Sequence, residues 1–121
     1  MIDIDRTKEF YRGLNADDIC RCDYCQNYVN RIKAAYPGVS EYLQAIGIDI
    51  EKPFEAISLE PEKDYLDYIA VLYIAVGTKE GFSGGLIDNV KVETEESHPT
   101  TEVAEEHFVI SVYPIRLPYE K

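Results

Sequence analysis

Between Asp23 and Tyr36, apolar residues recur at helical spacing. Cys25, Tyr28, Val29, Ile32, Ala35 and Tyr36 fall on one stripe, and Gln26, Asn27, Asn30, Arg31 and Lys33 occupy the rest. That period predicts an amphipathic helix. Asp23 and Gln26 stand at capping-box spacing, so Asp23 is the expected N-cap, with Pro37-Gly38 as the stop. A second, shorter helix is predicted over about Val39 to Ile46, with Val39, Tyr42, Leu43 and Ile46 in line. Gly47 would end it in the left-handed conformation, bringing Leu43 against Ile48. Upstream, Arg6 to Arg12 carries Phe10 and Tyr11, which suits a helical turn without fixing its length.

After Pro53 the period changes. Phe54 to Leu59 and Tyr65 to Val76 are short runs rich in aromatic and β-branched residues, the pattern of strands. Leu66 to Val76 is apolar at both alternating sets of positions and reads as a central strand, whereas Phe108, Ile110 and Val112 alternate with a more polar set. Four glycines among Gly77 to Gly85 suggest a hairpin loop leading into a further strand, Leu86 to Thr94. Helices first and strands afterwards predict an α+β fold, N-terminal helices packed on a C-terminal antiparallel sheet of about four strands, within one domain spanning residues 1–121. If the helices cover one face of the central strand, its other apolar face would favour a homodimer.

Charge narrows the choice of partners. Lys and Arg total 12 against 23 Asp and Glu, a net charge of −11, so a basic face for nucleic acid or an anionic membrane is not expected. Acids crowd between Glu93 and Glu106 without a Lys or Arg among them, which suits a solvated loop or a surface for a basic protein partner. The longest apolar run, Tyr68 to Val76, is far below membrane-spanning length. No cationic start followed by an apolar stretch opens the chain, so a cytoplasmic protein is expected.

The densest chemistry is Cys20-Arg21-Cys22-Asp23-Tyr24-Cys25. Three cysteines within six residues cannot staple distant parts of a fold, which leaves three readings. Cys22 and Cys25 can be small buried residues, since free cysteine is among the most buried types. Cys20, Cys22 and Cys25 can ligate zinc, with His107 as the protein-derived fourth ligand because a strand holds geometry better than the loop around His98. Cys22 and Cys25 can also form a redox pair at a helix N-terminus, although no apolar strand precedes them.

Other motifs carry less. Gly81-Phe82-Ser83-Gly84-Gly85, with Asp88 and His107 following, matches a nucleophile elbow in letters, but Leu86 to Thr94 reads as a strand where that motif needs a helix. No phosphate loop is present, and no residue is assigned a catalytic role.

Phe10-Tyr11, Cys20-x-Cys22-x-x-Cys25-Gln26-Asn27-Tyr28, Gly47 to Glu55, Glu105 to Val109 and Pro114 to Leu117 together resemble a family of small bacterial hypothetical proteins of Firmicutes. The resemblance implies a bacterial cytoplasmic origin and a single domain, and transfers no activity or site residue. The leading functional expectation is a non-enzymatic binding or interaction protein with a structural metal at the cysteines. The alternatives are a small thiol redox enzyme using Cys22 and Cys25, or an acidic immunity-type protein that neutralises a basic partner.

Overall fold

In the computed structural model, which describes residues 1–120 apart from the side chain of Ala16, the chain opens with helix α1, Ile4–Gly13. Asp3 caps it by accepting from the Arg6 N–H. Helix α2, Asp23–Ala35, buries Cys25, Tyr28 and Ile32 of the expected stripe, while Val29 is half-buried and Ala35 is exposed. Its N-cap is Cys22 and not Asp23, because the Cys22 Sγ already accepts from the Cys25 N–H. Helix α3, Pro37–Ala45, begins two residues earlier than expected, since proline at the first helical position lacks only an N–H that would have no helical partner. Gly47 ends it at φ +92°, with Ile48 N–H bonded to Leu43 O at 2.9 Å and Gly47 N–H to Gln44 O at 3.0 Å.

The sheet is antiparallel throughout and, apart from a single bridge between Ile2 and Gly77, is built from residues after Pro53. It has six strands where about four were expected: β1 Glu55–Ser58, β2 Tyr65–Val76, β3 Gly85–Ile87, β4 Val90–Thr94, β5 His107–Tyr113 and β6 Ile115–Pro118. One of the two extra strands comes from splitting Leu86 to Thr94 at Asp88-Asn89, whose φ values of 52° and 65° make a two-residue hairpin turn, and the other is β6. Asp88 has a second task, for its Oδ2 accepts from the Val39 N–H in the first turn of α3 at 3.1 Å. The glycine-rich loop after Val76 is not a hairpin. It carries the chain past β5 and β4 to the sheet edge, in the order β1-β2-β5-β4-β3, while β6 continues alongside β2 beyond the break at Pro114.

Strand β2 changes phase partway. Ile57 pairs with Ala70 and Ser58 with Tyr68, so Ile69 has no partner on β1 and stands 49% exposed. Before this bulge Leu66 and Tyr68 enter the core; after it Val71, Tyr73 and Ala75 do, packed with Tyr28, Ile32, Val39 and Leu43 of the helices. On the opposite face Leu72, Ile74 and Val76 are each 3% exposed within one chain.

The edge of β2 beyond β1 is closed by α1. Tyr11 Oη donates to Ile74 O at 2.7 Å and accepts from Ile74 N–H at 2.9 Å; one helical turn earlier, Thr7 Oγ1 accepts from Val76 N–H at 3.1 Å. Two side chains four apart on the helix therefore occupy hydrogen-bonding positions two apart on the strand, where an open edge would otherwise present unpaired backbone groups. Among the described residues, no helix is long and apolar enough to cross a membrane.

Candidate metal centre

The approach to α2 is a run of local turns. Asn15 N–H bonds Asp18 Oδ2 and Asp17 N–H bonds Asn15 Oδ1, closing the single 3₁₀ turn Ala16–Asp18. Ile19 is buried and fixes the segment to the body of the protein. Cys22 then adopts the extended conformation of an N-cap, and its carbonyl accepts the first helical bond from Gln26 N–H. The Gln26 side chain reaches back to donate to Cys20 O at 3.0 Å, which draws the first cysteine towards the other two. The start of α2 is docked on the sheet: Tyr68 Oη donates to Tyr24 O at 2.6 Å and Asn27 Nδ2 to Pro118 O at 2.9 Å.

The result is a compact triad of thiols. The sulfurs of Cys20, Cys22 and Cys25 all lie within 4.8 Å of one another, and Cys20 Sγ donates to Cys22 Sγ at 3.3 Å. Three sulfurs each at 2.3 Å from a tetrahedral zinc stand about 3.8 Å apart, so small side-chain rotations would accommodate a metal ion. Three close cysteines can thus hold a metal ion here.

The thiols differ in surroundings. Cys22 is exposed, and the Cys25 backbone N–H that bonds its sulfur holds its pKa below the ordinary value. Cys25 is 6% exposed, and burial pushes its thiol well above the ordinary range, with contacts to Cys20 and Cys22 acting in the same direction. Burial as a small apolar residue therefore describes Cys25 alone, since Cys20 and Cys22 face solvent.

His107 does not join the triad. It lies opposite Val76, whereas the cysteines sit near Tyr68 and Pro118, on the order of 25 Å away along β2 at about 3.3 Å per residue. Both of its ring nitrogens are engaged, Nε2 with Thr101 Oγ1 at 2.6 Å and Nδ1 with Glu105 O at 2.7 Å. His98 is bonded to the neighbouring Pro99 O and is likewise no member of the cluster. Among the described residues, no histidine or carboxylate supplies a fourth ligand atom to the three sulfurs. Ser83 is followed by β3 rather than a helix, so the Gly-x-Ser-x-Gly letters do not form a nucleophile elbow.

Sequence reasoning placed the three thiols and missed Gln26 as the residue that holds Cys20; its proximity to the cysteines was the available signal. No family model, no curated protein and no solved structure matches this chain, so the chemistry of the site is read from its own atoms.

Proposed function

We propose that this is a non-enzymatic metal-binding protein whose Cys20, Cys22 and Cys25 hold a zinc ion, with the fourth position open at the surface. The observation that carries this reading is the convergence of three sulfurs, all within 4.8 Å of one another, at a helix N-terminus. Three thiolates suit a thiophilic ion, and the positive end of the helix dipole favours their charge. The metal would tie the turn-rich approach from Asn15 to the first turn of α2. Its outward position would be left for water or for a donor atom from a partner.

The test is elemental analysis of protein purified without an affinity-tag metal. About one equivalent of zinc per chain is expected, with the thiols protected from alkylation until a chelator is added. Cys22→Ser and Cys25→Ser should each abolish retention and lower the melting temperature more with zinc present than after chelation. Less than about a tenth of an equivalent, with all three thiols reactive, would refute the reading.

A second reading, thiol–disulfide exchange, is favoured by the contrast between exposed Cys22 and buried Cys25. In that case the Cys22 thiolate attacks one sulfur of a substrate disulfide and expels the other as a thiolate. Cys25, after losing its proton, then displaces the mixed disulfide to leave an oxidised Cys22–Cys25 pair and a second substrate thiol. A reversible two-electron disulfide between Cys22 and Cys25 in glutathione buffers, with no bound metal, would select this reading over the first.

A further inference from the structure

We infer that the cleft enclosed by α1, the end of α2, α3 and the Gly47–Lys52 loop binds a small phosphate monoester. Its sign of charge is opposite to that of the chain. The protein carries 23 acids against 12 bases, yet this cavity of about 370 Å³ is lined by Lys8, Arg12, Lys33 and Lys52 against only Asp49 and Glu51. Ion pairs among the described residues are made by Arg6, Arg21, Lys79, Lys91 and Arg116. Lys8, Arg12 and Lys33 belong to none of them, although acids outnumber bases nearly two to one. Cations left unpaired in such a chain, gathered from two helices onto one cleft, are free to meet an anion that comes from outside.

The cleft is also built to stay open. Lys52 Nζ donates to Tyr11 O at 2.8 Å and Leu14 O at 3.0 Å, fixing the loop to the end of α1 with one ammonium N–H unspent. Gly47 packs so closely on α1 that a Cβ there would stand 2.7 Å from Ile4 O, which sets the width between the helix and the loop. The buried Ser40 contributes a wall, and Ile48 and Ile50, each 2% exposed, underlie the site.

Size and charge select the ligand class. The volume lies in the range of small-molecule sites. A polyanion such as nucleic acid would need cations continuing beyond the cleft, which a net charge of −11 does not provide. Four cations against two carboxylates leave an excess that a dianionic monoester neutralises, while Asp49 and Glu51 offer acceptors for hydroxyl groups on the ligand body.

The test is an NMR titration of the full chain with AMP, inorganic phosphate and adenosine, following backbone amides. Saturable shifts are expected at Lys8, Arg12, Lys33, Gln44 and Gly47 to Lys52 with AMP, weaker ones with phosphate and none with adenosine. Arg12→Ala combined with Lys33→Ala should weaken AMP binding at least about tenfold with an unchanged melting temperature, because two charge-assisted contacts are lost. Lys91→Ala, in the ion pair with Glu93, should bind as the parent does. Absence of saturable shifts, equal binding of adenosine, or full affinity in the double variant would each overturn the proposal.

Discussion

Single hydroxyl groups carry much of the internal order of this protein. Tyr73 Oη donates to Ile50 O at 2.6 Å, so the 2.6 Å contact between Tyr28 and Tyr73 is a bond donated by Tyr28, and the pair ties α2 through β2 to the loop after α3. Tyr11 is the more exacting case, because one phenol serves both the N–H and the C=O of Ile74. Tyr11→Phe keeps the ring and orphans both groups at a buried edge, and should cost about 2–4 kcal/mol in chemical denaturation. A loss under about 0.5 kcal/mol would show that water enters to replace the hydroxyl. At the same scale, the identity of the three metal-ligand candidates was legible from their spacing. Their unequal exposure was not, because whether Cys22 faces solvent depends on which residue caps α2, and a cysteine is an unusual cap.

At the scale of elements, legibility followed the kind of contact each element makes. Helices α2 and α3 bury apolar stripes, so their period could be read. Helix α1 buries only Thr7 and Tyr11 and attaches to the sheet through their hydroxyls, and a face with so few apolar residues was too short to fix its bounds in the sequence. The β3–β4 hairpin was hidden because Asp88-Asn89 lacks the glycine that usually marks such a turn, although both residues tolerate positive φ. The α3 terminator, by contrast, could be read from Gly47 alone. Gly47→Ala forces a side chain into positive φ and against Ile4 O, and should destabilise the protein by about 2–4 kcal/mol. Thermal unfolding of this variant beside Gly13→Ala, where an added Cβ meets nothing within 4 Å, separates the two sites. Equal melting temperatures would mean that α1 moves aside at no cost.

For the whole molecule, the arrangement as α+β, with helices preceding an antiparallel sheet, followed from the order of the periods along the chain. The strand order did not, since nothing in the composition of β5 announces that it separates β2 from β4. The cationic cleft was equally out of reach, because its four bases are scattered between positions 8 and 52 and meet only after folding.

A global consequence of the buried phenols is sensitivity to alkali. Burial raises the pKa of Tyr68 to about 12 and pushes Tyr11, Tyr28 and Tyr73 up as well. Unfolded tyrosines ionise near 10, so above that pH the unfolded chain binds fewer protons than the folded one, and stability falls as pH rises. The contribution is complete below about pH 10 and is lost through about pH 12 for Tyr68, with the more deeply buried phenols extending the loss. Phenolate absorbance should therefore show part of the ten tyrosines titrating only together with unfolding seen by circular dichroism. A single smooth titration of all ten with the fold intact would contradict the burial described here.

X-ray absorption at the zinc edge on zinc-loaded protein reads directly whether Cys20, Cys22 and Cys25 together hold a metal ion. Three sulfur neighbours at about 2.3 Å and one lighter oxygen or nitrogen neighbour at about 2.0 Å are expected, with sulfur neighbours lost in Cys22→Ser. A shell of oxygen and nitrogen alone, unchanged by that substitution, would contradict a metal site on the three cysteines.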